Sequence, residues 1–311
     1  MNQVKSRSID GAPVVMVTGA KYKHNDLRYD LARTTVKRCV KDHELPCVVV
    51  DASPDPLIAK DLGQLGAAVV CVKPEEGGIP KQRQIGARCV LDQGGNKIIT
   101  FEPEKTGMPD FAVRVAEMLG DGDSKVDPSV VVIGRTEASK ESMPPFQRRT
   151  EELAGWVLER TLGLPPDALA GPRGYSRQGI QHLLRYPSDR PGMNNWIYMY
   201  DNPLAARANG ERVGAIEVDL IYPESQVKQE TDNPTFDRKR YEQFALQLNY
   251  LLRRPEVKQP ADDLRNMVLG RLALMPERPT DKEIKEFFNT LEAEARGFSY
   301  KSNKDTQYLS L

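Results

Sequence analysis

Cys47-Val48-Val49-Val50-Asp51-Ala52-Ser53-Pro54-Asp55 is the stretch on which the fold turns. A short apolar run rich in β-branched residues reads as a strand ending at Asp51. Ser53 or Asp55 then reads as a helix cap, followed by a short helix from Pro56 to Leu65. Working outward, Val14–Val17 is an earlier strand, and residues 26–43 form a helix with Leu27, Leu31, Thr35 and Val36 at helical spacing. Downstream come a strand at 68–72, a helix around 82–91, a strand at 97–101, a helix at 111–119, an acidic surface loop from Gly120 to Pro128 and a strand at 130–133. Strands alternating with helices predict an α/β fold, a mostly parallel sheet flanked by helices on both faces.

The second half is patterned differently. Helices are expected at 151–162, 236–252, 261–274 and 281–295, with an exposed or edge strand at 215–221 and a loose polar tail. The expected organisation is an α/β domain over 1–230, a C-terminal helical extension over 231–296 and a flexible tail over 297–311.

Composition bounds the function. The chain has 311 residues, is 39% hydrophobic, and balances 44 basic against 44 acidic residues. A neutral balance argues against a broad electrostatic grip on nucleic acid or on an anionic membrane. No stretch approaches the roughly 20 apolar residues that span a bilayer, and no signal-peptide pattern opens the sequence. The four cysteines show no C-x-x-C spacing, so free thiols and a cytoplasmic location are expected.

In parallel α/β sheets, ligands sit outside the carboxyl ends of strands. After the first strand, Thr18-Gly19-Ala20 gives way to Lys21, Tyr22, Lys23 and His24, too bulky for a dinucleotide turn. After the second comes Asp51, placed to accept hydrogen bonds from a base or ribose. After the third, Gly77 and Gly78 precede Lys81, Arg83 and Arg88 at a helix start, a phosphate-friendly arrangement that also reads as a solvated basic face. After the fourth, Glu102-Pro103-Glu104 offers two carboxylates that would share a divalent cation with a diphosphate.

In this order the elements resemble those of GT-A glycosyltransferases of the family 2 type. That type has a strand ending in V-D-D-G-S-x-D, matched by Val50–Asp55. It then has a helix near R-N-x-G, matched by Arg83-Gln84-Ile85-Gly86, and a metal-binding D-x-D, matched by Glu102-Pro103-Glu104. Val132-Ile133-Gly134-Arg135 and Asp167 to Arg177 resemble later motifs of the dolichol-phosphate-sugar synthases, and Leu169-Ala170-Gly171 resembles a motif of the glucosyl- and mannosyl-glycerate synthases. The resemblance covers about the first two-thirds of the chain. It implies the Rossmann-like GT-A fold, a nucleotide-sugar donor, an acceptor it does not identify and, by family likeness, inversion. It places Asp51 at the base with Thr18 and Ser53 nearby, Lys81, Arg83 and Arg173 on the diphosphate, and Glu102 and Glu104 at a Mg or Mn ion. Asp167 would border the sugar and acceptor. Asp167 and Asp201 are the candidate catalytic bases. The alternatives are a non-catalytic nucleotide- or partner-binding protein and a sugar nucleotidyltransferase; the glycine-rich start of the latter is missing after the first strand.

Overall fold

The computed structural model describes residues 8–120, 126–165, 167–190, 193, 195–254, 262–276 and 278–295. Most of the expected acidic loop and all of the expected 297–311 tail lie outside the described residues. The strands are β1 Val15–Ala20, β2 Cys47–Asp51, β3 Ala68–Cys71, β4 Ile98–Thr100, β5 Pro128–Arg135, β6 Arg173–Tyr175 and β7 Arg212–Val218. The helices are α1 Leu27–Lys37, α2 Pro56–Gln64, α3 Ile79–Asp92, α4 Ala112–Met118, α5 Glu137–Glu141, α6 Pro145–Leu162, α7 Arg177–Arg185, α8 Tyr198–Ala208, α9 Glu224–Thr231, α10 Phe236–Leu251, α11 Asp262–Ala273 and α12 Asp281–Ala295.

All strands join one seven-stranded sheet in the order β3-β2-β1-β4-β6-β5-β7. Only β6 runs antiparallel, against both β4 and β5. This is the mostly parallel, helix-flanked sheet expected of the GT-A class. The chain leaves β1 toward β2 and β3, then returns through α3 to β4 on the other flank of β1. The topological switch point therefore lies outside the carboxyl ends of β1 and β4, where ligands of such sheets bind. Because β6 is reversed, its first residue, Arg173, pairs with Thr100 and stands at the same edge.

Period-two alternation divides the core between the two faces of the sheet. Met16, Val49, Ile99 and Val131 share a buried cluster with Tyr29 and Val36 of α1, Ile58 and Leu62 of α2, and Val115 of α4. Val17 and Val50 face the other way and receive α3. Gly86 permits that approach: a Cβ there would lie 2.4 Å from Val17 Cγ1.

By contact grouping the chain forms two compact units. One holds the described residues up to Thr136 together with Ala170–Ile221; the other holds Glu137–Leu169 and the described residues from Tyr222 onward. The grouping does not follow the boundary expected at 230. The helix α6, from the middle of the sequence, groups with α10, α11 and α12 in the second unit. Aromatic packing builds that unit's core, with Phe244 and Phe288 centroids 4.9 Å apart and Tyr241 edge-on to Phe287 at 5.6 Å.

Candidate functional site

The carboxyl ends of β1 and β2 are tied together by a chain of polar contacts. Asp51, 3% exposed, accepts a hydrogen bond from Ser53 N at 3.0 Å on its Oδ1. Ser53 Oγ accepts from Tyr22 N at 2.9 Å. Burial pushes the Asp51 carboxyl above its usual range, and the bonds from Ser53 partly offset this. Beneath them, Gln82 of α3 donates through Nε2 to Ala20 O at 2.9 Å and Val50 O at 3.0 Å, spanning the two strand ends. Asp55 is the cap of α2, accepting from Leu57 N at 2.9 Å.

Tyr22 continues the chain. Its hydroxyl donates to Glu104 Oε1 at 3.1 Å, and Arg28, in the first turn of α1, pairs with the same oxygen at 2.6 Å. The Glu104 side chain is 4% exposed and that of Arg28 is 51% exposed. Burial, and next the Glu104 charge, raise the Tyr22 pKa well above its usual value. Desolvation opposes the Arg28 charge, yet Glu104 holds its pKa above the ordinary arginine value.

Glu102 is differently placed. A Cβ on Gly171 would fall 1.5 Å from Glu102 Oε1, so the carboxylate lies directly against the backbone of the Ala170–Pro172 turn. Its Oε2 is buried and has no hydrogen-bond partner among the described residues. Leaving a buried carboxylate oxygen unpaired is costly unless a ligand meets it. The fully buried Tyr198 lies near enough to feel the charges of Glu102, Arg83 and Arg173, and burial first of all raises its pKa.

The predicted cations are largely spent on the fold. Arg83 is 3% exposed and donates to Val17 O at 3.3 Å and to Phe101 O, while its Nε lacks a partner among the described residues. Thr18, fully buried, donates through Oγ1 to the same Phe101 O at 2.9 Å. Arg173 is fully buried, donating to Ala170 O, to Pro172 O at 2.7 Å and to Met199 O at 3.2 Å, which fastens the Gly171 turn to the start of α8. Lys81 turns to Asp189 at 3.1 Å. Asp201 sits half-buried in the first turn of α8. Asp167 belongs to the second unit, where it adopts a left-handed φ of 56°.

The structure thus links Asp51, Ser53 and, through Tyr22, Glu104. It joins Thr18 to Arg83 through one carbonyl and sets Glu102 against the turn that Arg173 braces. The two glutamates do not fit the role of a shared metal pair: Glu104 is already held by Arg28 and Tyr22, whereas Glu102 packs on Gly171. No group of three or more His, Cys, Asp or Glu residues among those described is arranged to hold a metal ion. The sequence reading missed Arg28, Tyr22 and Tyr198. Arg28 was within reach of it, since the first turn of a helix following a parallel strand opens at the carboxyl edge.

Fold and site place the molecule in the class of mostly parallel α/β sheets with a polar centre at the β1/β4 switch point. No family model matches the chain, and no curated protein matches it at a significant level. Among solved structures it is similar to the mannosyltransferase PcManGT from Pyrobaculum calidifontis in complex with GDP-Man and Mn2+, at 12% identity and TM-score 0.47, over 93% of this chain and 76% of that one. It is similar to S. aureus TarS 1–349 at 14% identity and TM-score 0.45, over 94% and 95%. It is also similar to the glucosyl-3-phosphoglycerate synthase of M. tuberculosis at 15% identity and TM-score 0.44, over 79% and 86%. The likeness is one of fold alone, and the fold itself rests on the sheet order. No helix among the described residues is long and apolar enough to cross a membrane.

Proposed function

We propose that the protein transfers a sugar from a nucleoside diphosphate sugar, bound outside the carboxyl ends of β1, β2 and β4, to an acceptor hydroxyl. One observation carries this reading: the buried, unpartnered Oε2 of Glu102 at the switch point. A hydroxyl of a bound acceptor would satisfy that oxygen. Glu102 is then the base: it takes the hydroxyl proton as the acceptor oxygen bonds to the anomeric carbon, while the carbon–phosphate-oxygen bond breaks and its electron pair leaves with the nucleoside diphosphate. Asp51 and Ser53 border the base and ribose. Asp201, half-buried in the first turn of α8, is the alternative proton acceptor. A divalent ion is not part of the reading, because the glutamate pair does not fit one.

The test is donor hydrolysis and transfer with UDP-glucose and GDP-mannose, alongside calorimetric titration of UDP and GDP. Glu102→Gln is expected to lower turnover by about 10²–10⁴-fold with nucleotide affinity nearly unchanged. Wild-type protein that binds neither nucleotide refutes the reading. A second reading, binding without catalysis, is favoured by the Glu104–Arg28 pair, which removes one carboxylate from service. Nucleotide binding with no turnover of either donor, and no effect of Glu102→Gln, would select it.

A further inference from the structure

A bound diphosphate carries negative charge that the site must meet, and the cations named from the sequence are engaged elsewhere. Arg83 and Arg173 are buried on backbone carbonyls, and Lys81 is paired with Asp189. Arg28 differs from all three. One guanidinium nitrogen is anchored at 2.6 Å on a nearly inaccessible carboxylate, while the side chain as a whole stays 51% exposed. Glu104 is itself fixed by the Tyr22 hydroxyl, and Tyr22 by Ser53, so the anchor is continuous with Asp51.

We propose that Arg28 is a fixed anion-binding cation at the carboxyl edge of β1, taking the diphosphate without a metal ion. The proposal rests on the donor reading and deepens it. A guanidinium has five N–H donors in a rigid fork, and Glu104 engages one nitrogen. The remaining donors suit two oxygens of a phosphate in bidentate fashion. Anchoring also lowers the ordering cost that a free arginine would meet on binding. The Arg28 guanidinium already occupies Glu104, so a divalent ion there would first have to displace it. The buried Nε of Arg83 and Oε2 of Glu102, both without partners among the described residues, mark the same edge as built for a polar ligand.

Full-length wild type, Arg28→Ala, Arg28→Lys and the double variant Arg28→Ala/Glu104→Gln are titrated with pyrophosphate, UDP and GDP in EDTA and in Mn2+. Mn2+ binding alone is followed by electron paramagnetic resonance. Pyrophosphate affinity in wild type is expected to agree within about twofold between EDTA and Mn2+ beyond the metal's own complexation of the anion. It should fall at least tenfold in Arg28→Ala and in the double variant, and less in Arg28→Lys. The double variant leaves no unpaired charge at Glu104, so its loss cannot be assigned to misfolding if its thermal unfolding matches wild type. Mn2+ should bind Arg28→Ala at least tenfold more tightly than wild type, with the gain cancelled by Glu104→Gln. Unchanged pyrophosphate binding in Arg28→Ala, or wild-type Mn2+ binding that Arg28→Ala does not strengthen, overturns the proposal. If pyrophosphate behaves as expected but UDP and GDP bind no better, Arg28 stands as an anion site and the donor reading falls.

Discussion

Two stretches of the same sheet edge treat their polar groups in opposite ways. At the ends of β1 and β2, the polar contacts close on one another: Asp51 with Ser53, Ser53 with Tyr22, and Gln82 with two strand carbonyls. At the ends of β4 and β6, Glu102 Oε2 and Arg83 Nε are buried with no partner among the described residues. Closed networks fix a fold, whereas open ones cost stability and persist where a ligand completes them. On the proposed reading, the β1/β2 edge is an already closed, rigid bed for the donor, and the β4/β6 edge is where the transfer chemistry is expected.

The largest effect should come from Arg83→Met. It leaves the buried Val17 O and Phe101 O without a charged donor, and at about 1.5–3 kcal/mol for each such bond a loss of about 3–6 kcal/mol is expected. Urea denaturation at constant m-value measures it; a loss below about 1 kcal/mol would show that Arg83 holds nothing together. Next is Gln82→Ala on the closed side, which leaves Ala20 O and Val50 O without their side-chain donor. A cost of about 1–3 kcal/mol is expected, with turnover per folded molecule retained. Loss of turnover at full stability would break the contrast between the two edges.

Glu102→Gln should behave in the reverse sense. Stability should change by no more than about 1 kcal/mol, or rise, since an unpartnered carboxylate is replaced by a neutral amide, while transfer is lost. A large destabilisation would make Glu102 a structural group and move the chemistry elsewhere.

The smallest effect is that of Asp51→Asn, in which the amide oxygen still accepts from Ser53 N. The Asp51 pKa is raised in the folded state by burial, so the ionised form is disfavoured by folding. Its penalty is fully present above the folded pKa, declines as pH falls through it, and vanishes below the unfolded value of about 3.9. The variant should therefore melt higher than wild type at neutral pH, with the gain fading on acidification. A gain that grows toward low pH would contradict the burial argument.

The contrast bears on what was legible beforehand. Strands β1 to β5 were readable because each is a compact apolar run, and the helices between them because their apolar residues recur at helical spacing. β7 was anticipated as an edge strand, though it runs from Arg212 to Val218 rather than over 215–221, its register being set by pairing with β5. β6 was not anticipated as a strand. Arg173-Gly174-Tyr175 is three residues long, carries no hydrophobic period, and is buried only because nearby carbonyls and Asn202 satisfy its polar groups. α8 was not anticipated, because Pro203 lies inside it and a proline ordinarily interrupts a helical pattern.

The sequence by itself determined the alternation of elements and hence the parallel sheet, since period and punctuation are local properties of the chain. It also brought Asp51 and Glu102 to notice as residues just past strands. Only the tertiary structure decided that β6 enters reversed between β4 and β5, that α6 joins the C-terminal helices, and which charges are spent on the fold. Local patterning shows that a residue will be buried or exposed, but a desolvated charge must find its counter-charge or carbonyl wherever the fold brings one. For Glu104 that partner is Arg28, a residue of a different element far away in the chain.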